Sequence, residues 1–429
     1  MKKVFLFAAL IGFALGGYAQ EKKITIKPYG FIRNYACFDT RESYTSNSEQ
    51  FYYMPLDRED DINKKDLNEN PNMMLLSITT RLGLNITGPE FLGAKTSAKI
   101  EADFAGFGTS NTVLRIRQAY AKMAWEKQDV LVGQAWHPMM GDMMPDVFTL
   151  ETGAPFTPFS RSPQVRYNYI NGKYTFTATA LYQYQYTSYG PNAEAGNNYG
   201  KSTGSFDFAR NAVVPEMYLQ FMYKGEKFQG GVGVDYLTLK PRTFDAENNE
   251  EKTKLINKRK VDEIIGTASA TAFASYKDGN WGIKGRVTYA ENASHLSMIS
   301  GYAITKIDEE TGEQEYSPLR SIAAWMDITY KQKLEKGSLT YCLFAGYTKN
   351  LGCANEIVDS NIYMRGKKNA GYIWRVAPSI LYTHNAMQIG IEYNPTTVNY
   401  GTTVDNHYRI DGTHAVTNHR VCAMLKYNF

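Results

Sequence analysis

Residues 76–104, LSITTRLGLNITGPEFLGAKTSAKIEADF, show the pattern that decides the fold. Apolar residues, beginning with Leu76, alternate with polar ones on both sides of a tight connection at residues 88–93, so each half has an apolar and a polar face. Each half is about ten residues long, the length that a tilted strand needs to cross a bilayer. A soluble sheet shows the same alternation, so the repetition of the pattern along the chain is what favours a transmembrane β-barrel.

The pattern recurs along the chain and predicts an all-β fold, an antiparallel barrel of roughly sixteen strands with a water-filled lumen. Short turns alternate with long hydrophilic segments, as in outer-membrane barrels, whose short turns face the periplasm. One long segment, residues 39–72, is rich in charge and predicts a surface loop. The segment 174–186 places an aromatic residue or alanine at every even position and predicts a lipid-facing strand ending at Tyr186. The predicted strands cover residues 27–38, 76–87, 95–104, 113–125, 130–136, 164–169, 174–186, 215–223, 228–239, 264–276, 281–290, 322–330, 339–347, 374–382, 387–393 and 419–429.

Composition supports export to a membrane. The 429 residues include 32 Tyr, 21 Phe and 5 Trp, which suits rings at a membrane boundary. The net charge of +4 is small, and because no block of basic residues stands out, a nucleic-acid partner is not expected. A basic start, an apolar run and small residues before Ala19 predict a signal peptide at residues 1–19, leaving residues 20–429 as one barrel domain.

The cysteines and histidines predict no metal site. Cys37, Cys342, Cys353 and Cys422 are widely and irregularly spaced, so one disulfide is possible and its pairing stays open. The six histidines are scattered, and no cofactor motif is present. No serine or cysteine nucleophile has a catalytic motif around it, so an enzyme is not expected. A barrel that serves mainly as an adhesin or receptor through its long loops is the alternative to a channel.

Basic residues dominate the polar faces of the first six predicted strands, against Glu101 and Asp103. Because the barrel wall is a low-dielectric boundary, it focuses the field of lumen charges into the water column, and a basic wall favours anions. The alternative is that these bases pair with Glu101, Asp103 and loop acids and leave little net field. The candidate lumen residues are Arg33, Arg81, Lys95, Lys99, Arg115, Arg117 and Arg166.

The third long loop, centred on residues 137–160, is unusually apolar. Its Met and Phe residues favour a loop that folds inward and narrows the lumen. Asp142, Asp146 and Glu151 would then meet the arginines across the gap, with Arg161 at the end of the loop. An ordinary extracellular lid or a subunit contact is the alternative.

Five stretches in the first 170 residues share a family pattern: Thr80–Gly83, Lys99–Phe104, Leu114–Tyr120, Gly133–Trp136 and Arg161–Tyr167. They resemble the DcaP-like outer-membrane porins. The resemblance implies a trimeric channel in the cell outer membrane, surrounded by its lipid, for small anionic solutes such as dicarboxylates, with arginines lining the constriction. The chain departs from some members in lacking a heptad-patterned segment before the first strand.

Overall fold

The computed structural model describes residues 24–46, 51–106, 113–148, 153–192, 202–358 and 362–429, so the predicted signal peptide lies outside the described residues. The barrel strands are β1 (Thr25–Asp39), β2 (Asn72–Leu76 and Arg81–Thr87), β3 (Lys95–Asp103), β4 (Arg115–Ala124), β5 (Gln128–Trp136), β6 (Arg161–Asn171), β7 (Tyr174–Leu181), β8 (Glu216–Lys224), β9 (Phe228–Leu239), β10 (Ile265–Asp278), β11 (Trp281–Glu291), β12 (Gln314–Lys333), β13 (Ser338–Gly352), β14 (Ala370–His384), β15 (Met387–Tyr400) and β16 (His414–Asn428). Each strand pairs antiparallel with its neighbour, and β1 pairs with β16 as well as β2, so the sheet closes. The predicted sixteen-stranded barrel is confirmed. Among the described residues, no helix is long and apolar enough to span a bilayer.

The strands form because polar and apolar residues alternate with the period of the pleat. On β10, Thr267, Ser269 and Thr271 are buried in the barrel interior, whereas Ala268 and Ala270 are exposed on the outside. The large exposed side chains of the strands are mainly Ile, Val, Leu, Phe and Tyr. An apolar exterior around a polar interior is the reverse of a soluble domain, and it suits a barrel surrounded by lipid.

The barrel closes along the β1–β16 seam. Cys37 faces Cys422 across this seam on the inner wall, and the two are joined by a disulfide. The amide of Gly30 donates to the carbonyl oxygen of Phe429 at 3.0 Å, which extends the pairing to the last residue. Cys342 and Cys353 are buried free thiols.

β2 differs from the continuous strand predicted for residues 76–87. Between the Phe31–Arg81 and Tyr35–Leu76 pairs, three residues of β1 face four residues of β2. The extra residue acts as a β-bulge and shifts the alternation by one position. Leu76 therefore lies opposite the inward-facing Tyr35 and points into the barrel, instead of outward as predicted.

β7 is shorter than the segment 174–186 predicted from alternation. The strand ends at Leu181, and the chain then leaves the sheet. Tyr186 is only 4% exposed, and its hydroxyl accepts a hydrogen bond from Arg161 at 2.9 Å. The expected lipid-facing position of Tyr186 is therefore wrong, because alternation holds only where the backbone stays in the sheet.

Connections of two to seven residues join strands at one end of the barrel, here called the turn end, where both termini of the barrel also lie. Eight longer connections, L1 to L8 in chain order, emerge at the opposite end, here called the loop end. Those used below are L1 (residues 40–71), L3 (137–160), L6 (292–313) and L8 (401–413).

The main apolar core lies inside the loop end of the barrel. Phe51–Pro55 of L1 is completely buried, although the charge-rich segment around it predicts a surface loop. The run FYYM explains the difference, because four large side chains gain more from burial than from exposure. Phe51 and Tyr53 pack in one cluster with Phe159 of L3 and Phe344 of β13.

Candidate functional site

The described parts of L3, residues 137–148 and 153–160, lie inside the barrel, where polar side chains of the wall hold the backbone. Arg286 on β11 donates to two L3 carbonyl oxygens. Asp327 on β12 accepts the amide of Asp146 at 2.7 Å. Glu392 on β15 accepts the amide of Phe148 at 2.8 Å. Because these anchors come from three different strands, L3 is fixed across a broad part of the inner wall.

The apolar side chains of L3 pack against the wall and against L1. A short helix, α1 (Pro138–Gly141), begins the loop and is buried. Phe159 meets Phe51 edge to face, with ring centroids 4.9 Å apart. The buried apolar side chains of L3 include Met139, Met140, Met143, Phe148, Phe156 and Phe159.

The two described L3 acids, Asp142 and Asp146, have direct partners other than the arginines expected from the sequence. The side-chain amide of Gln220 donates to Asp142. The carboxylate of Asp146 lies 2.8 Å from the ammonium of Lys284 on β11. Glu151 lies outside the described residues.

Arg115 and Arg117 belong to a buried ion-pair cluster on β3 and β4. Arg115 donates to both carboxylate oxygens of Asp103, at 2.7 and 3.1 Å. Arg117 donates to Asp103 at 2.6 Å and to Glu101 at 3.0 Å. The arginine side chains are 5% and 4% exposed. These two arginines therefore pair with Glu101 and Asp103, which is the alternative to a basic lumen wall that the sequence left open. Two carboxylates balance the two guanidinium groups.

Arg81, Lys99 and Arg33 extend this cluster. Arg81 and Lys99 lie 3.6 and 3.8 Å from Glu101, with side chains 19% and 24% exposed. Arg33 donates from Nε to Thr79, and its guanidinium lies over the ring of Tyr35. With these three residues the wall carries five positive charges against two acids, so the cluster has an excess of positive charge.

Three remaining candidates occupy different surroundings. Arg166 donates to Gln164 at 3.0 Å and to the carbonyl oxygen of Trp136 at 2.6 Å. Arg161 is completely buried, and its guanidinium lies 4.8 Å from the Trp136 ring centroid. Lys95 is exposed at the turn end of β3. The direct hydrogen-bond and ring partners named here for the two arginines are neutral groups.

A further set of bases, which shares Arg33 with the cluster, lines a cavity below L3, toward the turn end, which we call the vestibule. It has a volume of about 760 Å³ and is bounded by the continuous run of strands from β10 through β16 to β1. Among the residues that the structure describes, Asp146 is the only acid in its lining, and it pairs with Lys284. The bases that line it are Arg33, Lys277, Lys284, Lys331, Lys333 and Lys426.

These five lysines are absent from the candidates predicted from the sequence. The available signal was the same alternation that identifies the early strands: on β11, Lys284 and Arg286 alternate with the exposed Ile283 and Val287. The closure of the barrel determines which strands face each other across the lumen. The residue pattern of a single strand therefore cannot predict that these lysines line one cavity.

His137, Glu216 and His295 form the one group of possible metal ligands found among the described residues, with ligand atoms within 4.8 Å of one another. Nε2 of each histidine lies 2.9 Å from the same oxygen of Glu216. Burial lowers the pKa of His137, which favours the neutral ring. The amide of Met139 donates to Nδ1 of this ring, so the proton is assigned to Nε2, where it leaves no lone pair for a metal. The group is therefore a hydrogen-bonded hub that ties L3 and L6 to β8.

Comparisons with known proteins give the family. No curated protein sequence matches the chain. The solved outer membrane channel DcaP of Acinetobacter baumannii is similar in structure, with a TM-score of 0.64 and 17% identity over 96% of this chain and 99% of that one. An anion-selective porin from Comamonas acidovorans has a TM-score of 0.54 and 9% identity, over 95% of this chain and 100% of that one. The trimer form of OmpT from Vibrio cholerae has a TM-score of 0.52 and 12% identity, over 95% of this chain and 100% of that one. The family model of the DcaP outer membrane protein matches residues 18–257, more than half of the chain, and the protein therefore belongs to this family of outer-membrane channels.

Proposed function

We propose that the protein is a passive porin that favours small anionic solutes, with dicarboxylates among them. The observation that carries the proposal is the vestibule, where six bases and one acid line a single cavity in the lumen. Because the wall around this water has a low dielectric constant, the excess positive charge raises the local concentration of anions.

The distribution of the bases favours a solute with two negative groups. Arg33 and Lys426 lie on β1 and β16, whereas Lys277 and Lys331 lie on β10 and β12, on the other side of the same cavity. A dicarboxylate can be attracted from both sides at once. The partly exposed Arg81 then offers a planar fork to a carboxylate farther up the lumen.

The remaining candidate residues have supporting roles in this proposal. Arg115 and Arg117 fix the β3–β4 wall through their ion pairs and add little net charge. L3, which includes Asp142 and Asp146, is anchored to the inner wall and narrows the lumen. No residue is assigned a catalytic role.

The test compares two probes of similar size, succinate and the neutral succinamide, in liposome swelling assays. The unmodified channel is expected to admit succinate faster. The triple variant K277Q/K331Q/K333Q is expected to slow succinate much more than succinamide. The matched control K127Q/K173Q/K336Q changes three lysines in the short turns, outside the vestibule lining. Equal slowing of both probes by the vestibule variant contradicts the proposed anion preference.

We also propose that the protein assembles as a homotrimer in outer-membrane lipid. The support is the apolar exterior of the strands together with the trimer form of the similar OmpT structure. Mass determination of the detergent-extracted protein by light scattering tests the proposal: three chains in each particle are expected, and a monomer contradicts it.

A further inference from the structure

The inner segment of L1, Phe51–Pro55, lies deep in the mouth of the barrel. Its four side chains from Phe51 to Met54 are each no more than 1% exposed. They face L3 and the inner wall, because Phe51 contacts Phe159 and the main apolar cluster includes residues of both loops. L1 therefore occupies cross-sectional area of the lumen at the level of L3.

Polar groups of the wall fasten this segment from the β15–β16 side. The hydroxyl of Tyr400 donates to the carbonyl oxygen of Pro55 at 2.6 Å. The guanidinium of Arg420 lies 3.9 Å from the ring centroid of Tyr52, and Asn418 donates to the Tyr52 hydroxyl at 3.1 Å. A loop that merely covered the mouth would not need partners on the inner wall.

Arg375 on β14 holds both infolded loops. It is 1% exposed. Its Nη2 donates to the carbonyl oxygens of Tyr52 and Tyr53, each at 3.2 Å. Its Nη1 donates to the carbonyl oxygen of Ala154 in L3 at 3.2 Å, while Nε donates to Thr396 of the wall at 2.8 Å. One guanidinium thus links L1, L3 and the wall.

We infer that Phe51–Pro55 of L1 forms the constriction together with L3, and that Arg375 is the positioning residue that keeps the two loops together. The pore size is then set by two loops, and L3 alone does not determine it. This inference rests on the proposed channel function, because it concerns the size limit of that channel.

The direct test replaces residues 51–55 with Gly-Ser-Gly-Ser-Gly and measures single-channel conductance and liposome swelling with neutral sugars of increasing size. The conductance is expected to rise by about twofold or more, since pore cross-section limits the current, and larger sugars should enter. The matched control makes the same replacement at residues 402–406 of L8, which are all exposed, and should leave both readouts unchanged.

A second variant keeps the test decisive if the replacement prevents folding. R375K/Y400F retains the positive charge, and it removes the guanidinium fork and the hydroxyl that hold L1. It is expected to raise the conductance and the sugar cut-off with unchanged charge selectivity. Failure of the unmodified protein to conduct contradicts the proposed function itself. If the unmodified protein conducts but neither the 51–55 replacement nor R375K/Y400F changes the sugar cut-off when folded, the inference about L1 is overturned. The proposed channel function is then unaffected.

Discussion

Cys37 and Cys422 are disulfide-bonded on the inner wall, at the seam where the first and last strands of the barrel pair. The bond closes a loop that contains nearly all of the barrel. Removing it with C37A/C422A is expected to cost about 2–4 kcal/mol of stability, because the unfolded chain regains freedom. The measurement is the temperature above which the protein no longer migrates in gel electrophoresis as a compact folded barrel. C342A, which removes a free buried thiol, is the control, and an unchanged transition in the double variant contradicts the prediction.

The acids of the arginine cluster are expected to weaken anion preference. Glu101 and Asp103 lie within 4.0 Å of Arg81, Arg115 and Arg117. E101Q is therefore expected to make the channel more anion-selective, measured as a reversal potential. It should also destabilise the barrel by about 3–5 kcal/mol, because it breaks buried pairs. D278N, at the exposed turn end of β10, is the control. A shift toward cations in E101Q is the contrary outcome.

The wall acids that hold L3 are expected to limit fluctuations of the current through the open channel. D327A/E392A leaves the amides of Asp146 and Phe148 without these acceptors, at a cost of about 1–3 kcal/mol for each unsatisfied donor. We expect larger current fluctuations in planar bilayers. D405A, which removes an acid that accepts amides within exposed L8, should conduct as the unmodified channel does. Equal noise in both variants argues against the anchoring role.

Lowering the pH is expected to weaken the hydrogen-bonded hub through which His137 holds L3. Burial lowers the pKa of His137 below its usual value of 6.5, with Glu216 acting in the opposite direction, and His295 and Arg166 also face the ring. The folded state therefore binds fewer protons than the unfolded state, and the stabilising contribution present at neutral pH is lost as pH falls below about 6.5. The contribution of the hub to thermal stability should fall between pH 7.5 and 5, so H137N, which can still cap α1, should lose less stability over this range than the unmodified protein. The same slope in both proteins would falsify this assignment.

The strand pattern was predictable because alternation is a local property of the pleat. The exceptions arise where the backbone departs from the sheet or gains a residue, as at the bulge before Arg81 and after Leu181. Neither the bulge nor the end of the strand changes the composition of its segment. The alternation of polar and apolar residues therefore continues past both points, and the predicted strands are too regular or too long.

The site was less predictable because its contacts join distant parts of the chain. The apolar content of L3 indicated that it folds inward, but the partners of Asp146 and Phe148 lie on β12 and β15. Arg115 and Arg117 were identified as lumen residues, and only the β3–β4 register brings them against Asp103 and Glu101. The run FYYM at residues 51–54 was the available signal for the infolded part of L1.

The central claim is that the lumen carries an excess of positive charge, and the reversal potential of the unmodified channel across a potassium chloride gradient tests it most directly. Six bases and one acid around the vestibule predict that chloride is more permeant than potassium, with a preference that declines as salt screens the wall. A channel that passes potassium preferentially at low salt would contradict the account.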